Sequence, residues 1–169
     1  GSIWAEFRNL SSKYIPKSAA SMRSRYLDLV KYNLWANQRS IAQLRPLVLE
    51  QFEKDMGSSF PSIRLTLLHI WDAELLWVKR LQGTSIPYFP STKFEGNREA
   101  IEASLLNTSQ SWIDWVQAAP AASFAEDRMF GFSSTDGTRY EIPGWQIITH
   151  CMNHSSYHRG QLTTMARQL

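Results

Sequence analysis

From Met22 to about Arg45, Leu27, Val30, Leu34, Ile41 and Leu44 recur at three- and four-residue spacing, while Lys31, Arg39 and Gln43 are free for the opposite face. The pattern predicts a first helix, which Pro46 closes. The stretch Leu49–Phe60 follows as a connection; its Gly57-Ser58-Ser59 run before Pro61 is a common way for a chain to enter a helix. A second helix is expected from about Pro61 to Leu81, stopping at Gly83. Leu67, Ile70, Trp77 and Leu81 form its stripe, and Leu68, Trp71, Leu75 and Val78 widen it, so most of this helix should be buried, His69 with it.

Pro87 and Pro90 make Thr84–Gly96 a crossover loop. Ile101, Leu105, Trp112, Trp115 and Val116 then mark a third helix ending before Pro120. Between Phe124 and Tyr140 the period changes. Arg128–Phe132 and Thr138–Ile142 flank Asp136-Gly137, a dipeptide favoured in tight turns, which predicts a small hairpin. Pro143 and Gly144 open a last helix from Trp145 to about Arg167, with Ile148, Met152, Leu162 and Met165 among its apolar positions. The expected fold class is therefore all-α: a four-helix bundle with long crossover connections and a small β-hairpin before the last helix.

A length of 169 residues fits one domain large enough to bury a core without staples, and seven Trp, six Tyr and eight Phe supply large pieces of buried surface. Residues 1–21 show little helical periodicity and are set aside as an N-terminal extension, Gly1-Ser2 having the look of a cloning remnant; the domain is expected over 22–169. The formal charge of +3 is concentrated at the start, where residues 1–31 hold six basic and two acidic side chains and leave the remainder at about −1. Nucleic acid is therefore an unfavoured partner, because phosphate binding needs a concentrated basic stripe. The single cysteine, Cys151, excludes an intrachain disulfide and fits a reducing compartment. No apolar run approaches the roughly 20 residues of a membrane helix, and the expected location is the cytoplasm.

All four histidines fall in predicted helices, and His150, His154 and His158 stand four residues apart on the last one. Positions i and i+4 are about 40° apart around a helix, so two imidazoles can converge on one ion, and a third from a facing helix would complete a three-nitrogen face. Any one buried histidine is more often a hydrogen-bonded packing residue. A buried run of them, however, would be costly to satisfy and would repel itself on protonation, whereas a cation stabilises the neutral forms. Spacing alone does not choose between His150–His154 and His154–His158, and the glutamate of an HExxH motif is absent.

The run from Trp145 to Leu162, with Asn153-His154-Ser155-Ser156-Tyr157-His158-Arg159-Gly160-Gln161, resembles the signature of the DinB/YfiT-like family, in which NHxxxHRGQ ends the bundle. Leu68–Trp77 resembles that family's histidine followed by Ala-Glu and Trp, and Tyr32-Asn33-Leu34-Trp35-Ala36-Asn37 its helix-one "WAN" signature. The resemblance implies one divalent metal ion, zinc or nickel, on His69, His154 and His158, with His150 lining or supporting the site. Metal-bound imidazoles normally donate their second N–H to an oxygen, which makes Asp72, Glu74 and Asn153 candidates for orienting the ligands, although Glu74 lies five residues from His69 and better suits a solvated or inter-helix ion pair. Arg159 is a candidate partner for a nearby carboxylate or an anionic group, and Gly160 for close helix packing. Cys151 is read as a small buried hydrophobe rather than a thiolate ligand, and Tyr157 as a packing residue before a hydrogen-bond donor to the site.

The resemblance further implies a metal-dependent enzyme that activates a small thiol for S-transfer or water for hydrolysis, with a small molecule, in the first case a low-molecular-weight thiol, as substrate. The alternative is a non-catalytic stress-response protein whose metal is structural or vestigial. A homodimer is also expected. Trp35, Trp112 and Trp115 could supply surface for it, with core packing the more expected use of each.

Overall fold

The computed structural model describes residues 18–169; most of the expected N-terminal extension lies outside them. The first helix, α1 (Ala19–Leu44), starts three residues earlier than the apolar period suggested, because Ser18 caps it, its side chain accepting from Ser21 N at 3.2 Å. A short helix, α2 (Leu49–Glu53), follows in the stretch expected to be a connection. Five residues are too few to display a helical period, yet α2 buries Phe52 completely.

Helix α3 (Ile63–Leu81) starts where Ser62 accepts from Leu65 N, two residues past the expected Pro61. Helix α4 (Arg98–Ala118) starts where Asn97 accepts from Ala100 N. The crossover between them contains a 3₁₀ turn at Pro90–Lys93. The hairpin is formed by antiparallel β1 (Met129–Ser133) and β2 (Arg139–Pro143), with Phe132 opposite Tyr140. Its turn needs Gly137, whose φ of 86° lies in the left-handed region that side chains disfavour. The last helix, α5, spans Gly144–Gln168.

The four long helices form a ring in which α1 and α3 each pack against both α4 and α5. Its interior is divided along the bundle axis. One apolar cluster, at the hairpin end, gathers Tyr26, Val30, Val78, Trp112, Phe124 and Ile148. The other, at the α2 end, gathers Ile41, Leu44, Phe52, Ile70, Leu105 and Leu162. On every long helix a buried polar position separates the two: Asn33 and Asn37 on α1, Glu74 on α3, Ser109 on α4, Ser155 and Arg159 on α5.

These six side chains satisfy one another. Glu74, with no exposed surface, accepts from Asn33 Nδ2 at 2.7 Å, Asn37 Nδ2 at 2.9 Å, Ser109 Oγ at 2.6 Å and Ser155 Oγ at 2.9 Å. Arg159 Nη1 donates to the amide oxygens of Asn33 at 2.6 Å and Asn37 at 2.8 Å. Buried carboxylate and guanidinium are thus joined through two amides, each using both its donor and its acceptor end, which meets the condition for burying charge. The solvated or ion-pair role expected for Glu74 is replaced by this relay. Trp112 fills the core as expected and Trp115 is half-buried, but Trp35 is 55 % exposed.

Candidate metal centre

His69 projects from α3, one turn and a half before Glu74, and His154 and His158 project from successive turns of α5. Because α3 packs against α5, the three imidazoles meet in the seam between these helices. Their candidate ligand nitrogens all lie within 4.8 Å of one another, a spread that small side-chain rotations close onto one ion, since imidazole nitrogen binds zinc at about 2.0–2.1 Å. His154 Nε2 is 2.8 Å from His69 Nε2. Two lone pairs cannot face each other at that distance, so either one ring donates a proton to the other or a cation takes both lone pairs.

His158, 5 % exposed, has its Nδ1 2.7 Å from Gln161 Oε1. An amide oxygen can only accept, so the imidazole proton sits on Nδ1 and the Nε2 lone pair is left for an ion. Phe60, in the loop before α3, stacks on His69 with ring centroids 3.7 Å apart and sets its edge toward His158 at 5.5 Å, walling one side of the centre with hydrocarbon.

The electrostatics favour uncharged ligands. Burial, with the neighbouring His158 adding to it, pushes His69 down to about 4 from the ordinary 6.5. Burial also pushes His154 down to about 4, reinforced by His158, His69 and His150. Both rings therefore keep their lone pairs at neutral pH, which a cation requires. The donor set fits a divalent metal ion: three imidazoles, with no fourth histidine, cysteine or carboxylate in the cluster among the described residues.

The remaining candidates go elsewhere. His150 is exposed, lies edge-on to Trp77 at 5.5 Å and stays 6.2 Å from the His154 ring, so it flanks the three without joining them. Asp72 does not orient a histidine: it accepts from the backbone N–H of Ser91 at 2.7 Å and from its hydroxyl, latching the crossover loop onto α3. Asn153 is exposed, and His154 Nδ1 is buried with no partner among the described residues. Cys151 is fully buried in the hairpin-end cluster, and burial, with Glu74 adding to it, raises its thiol well above the ordinary value. Tyr157 is 65 % exposed and touches His158 only edge-on, at 5.0 Å. Gly160 packs against nothing on its Cβ side, so close helix packing does not explain it.

Sequence reasoning passed over Phe60 and Gln161. Gln161 had a signal, since i and i+3 are neighbours on a helix face; Phe60 had none, because it reaches His69 from a loop.

The DinB family model matches residues 22–169. The chain is 26 % identical over 147 residues to a Bacillus subtilis (strain 168) protein named Protein DinB, the match covering 83 % of each chain. It is 22 % identical over 149 residues to YizA of the same organism, described as uncharacterized, covering 85 % of this chain and 87 % of that one.

Proposed function

The chain belongs to the DinB family, and on that premise we propose that it is a metal-dependent enzyme that holds one divalent cation, zinc or nickel, on His69, His154 and His158 and activates a small thiol for S-transfer or water for hydrolysis. The observation that carries this reading is the incomplete donor set: three histidines converge, two of them only part-buried, and no fourth His, Cys, Asp or Glu closes the cluster among the described residues. Structural sites usually complete four protein ligands, whereas catalytic sites leave a position for water or substrate. A cation there supplies charge that lowers the pKa of a bound thiol or water.

The chain's own residues do the rest. Gln161 fixes the tautomer and orientation of His158, and Phe60 excludes water from one side of His69. The relay through Glu74 and Ser155 ties α3 to α5 at the level of the centre and so holds His69 against the α5 pair. The reacting thiol must come from outside, because the Cys151 thiol is fully buried and held protonated.

The test is turnover. Protein loaded with zinc or nickel should convert at least one combination from a panel of thiols with electrophiles, esters and amides, and the activity should vanish in H154A and H158A. A second reading, a non-catalytic stress-response protein with a structural metal, is favoured by one observation: the nearby carboxylates Asp72 and Glu74 are committed to Ser91 and to the buried relay, leaving neither as a general base. Full metal occupancy without turnover across the panel would select it.

A further inference from the structure

Three turns beyond His69 on α3 stands Arg80, eleven residues on and within about 20° of the same helix face. Its guanidinium carbon lies 4.3 Å from the centre of the Trp77 ring and 4.4 Å from that of Phe132 on β1, and those two rings meet edge-to-face at 5.3 Å, so the hairpin holds the cation in the corner of an aromatic pair. The hairpin is held there by Ser133 N, which donates to Ser85 Oγ in the loop after α3. Arg80 is 92 % buried by its 8 % exposure, its Nε has no hydrogen-bond partner, and it forms no ion pair among the described residues. Arg159, the other buried guanidinium of the bundle interior, has its amide acceptors; Arg80 has ring faces only, which attract a cation but leave its N–H groups unspent.

A continuous row of side chains connects this arginine with the histidines. Trp77, which stacks on Arg80, meets His150 edge-on at 5.5 Å, and His150 stands 6.2 Å from His154. The metal centre and the guanidinium are therefore the two ends of one seam between α3 and α5, roughly 16 Å apart at their α3 backbone positions from a rise of 1.5 Å per residue. That length suits an extended small molecule of about four or five peptide-like units at about 3.3–3.6 Å each.

We propose that Arg80 is the anion-binding end of the substrate site: the substrate is an extended small molecule with a carboxylate, which the buried, unpartnered guanidinium receives while the opposite end reaches His69, His154 and His158. The proposal rests on the three histidines being the reactive end, as proposed above. The fork of guanidinium N–H groups matches a carboxylate, and the two rings it rests on lower local polarity, which strengthens the bond formed. Burial lowers the pKa of Arg80, with no carboxylate among the described residues opposing it, consistent with a cation whose counter-charge arrives with the ligand.

The experiment compares N-acetyl-Cys-Gly-Gly-Gly-Gly as free acid and as C-terminal carboxamide, by calorimetry on the zinc-loaded protein. A second readout is the NMR signal of Arg80 Nε–H with and without zinc. The acid should bind wild type about tenfold or more tighter than the amide, as a charge-assisted hydrogen bond provides. R80Q should bring the two to within about twofold, and R80K should keep part of the preference. The acid, and not the amide, should move the Arg80 signal even in metal-free protein. Equal binding of acid and amide to wild type overturns the proposal, whether or not R80Q folds, and so does a preference that survives in folded R80Q. The two readings fail separately: absence of zinc binding with the acid still moving Arg80 sinks the metal centre alone, and zinc binding without acid preference sinks Arg80 alone.

Discussion

His69 and His154 meet Nε2 to Nε2 at 2.8 Å across the seam between α3 and α5, although 85 residues separate them in the chain. An approach this close requires a shared proton or a cation. Purified protein loaded with zinc or nickel should hold about one equivalent of metal, because the cluster has a single three-nitrogen face. H69A, H154A and H158A should each lose most of it by elemental analysis after dialysis, whereas H150A should keep it. Full retention in H154A would remove the assignment.

The two depressed histidines set the acid behaviour of metal-free protein. Their folded value of about 4 lies below the ordinary 6.5, so the unfolded chain takes up protons first. Their contribution to stability is fully present above pH 6.5 and is lost as the pH falls toward 4. The urea midpoint of metal-free wild type should therefore fall more steeply between pH 7 and 4.5 than that of a protein carrying H69A and H154A together. Parallel curves would show that other groups govern this range.

Gln161 accepts from His158 at 2.7 Å, and among the described residues no other partner orients that ring's Nδ1. Loss of such a support weakens metal binding by about 10- to 100-fold in known sites. Q161A should show a weakening of that size in competition with a chelator, with little change in the urea midpoint of metal-free protein. An unchanged metal affinity would make Gln161 incidental.

Glu74 is the acceptor that four donors share. E74A removes the acceptor of Asn33, Asn37, Ser109 and Ser155, of which Asn37 and Ser109 keep a second one, and leaves Arg159 without a counter-charge, a change that costs about 3–5 kcal/mol when one partner of a buried charged network is removed. E74Q keeps the shape and an acceptor oxygen and should cost less. Urea unfolding measures both, and a loss below about 1 kcal/mol in E74A would show that the relay contributes little.

Cys151 should be inert in the folded protein. Burial raises its thiol well above the ordinary value and denies reagents access. A chromogenic disulfide reagent should release close to no signal from native protein and one equivalent after unfolding in urea. Rapid native reaction would place the thiol within reach of the metal centre.

Much of the bundle was legible in the chain. Long helices repeat their period several times, so Leu27 to Leu44 and Leu67 to Leu81 disclosed α1 and α3, and Asp136-Gly137 disclosed the hairpin because a tight turn constrains two adjacent residues. Helix α2 was hidden, since one turn displays no period. Motif likeness named His69, His154 and His158, and the structure brings those three together.

The sequence by itself determined which residues could share a helix face: spacing placed His154 and His158 one turn apart, and the alternation of apolar and polar positions assigned the core. Local spacing carries that information because a helix fixes the angle between neighbours. Only the tertiary structure decided what each face meets. Glu74 reads as a solvated or ion-paired carboxylate until four helices close around it and Asn33 and Asn37 join it in a relay. Nothing in the spacing of α3 marks Arg80, which Phe132, 52 residues later, covers. Partners so distant along the chain are chosen by packing between elements, and the periodicity of a single helix has no record of them.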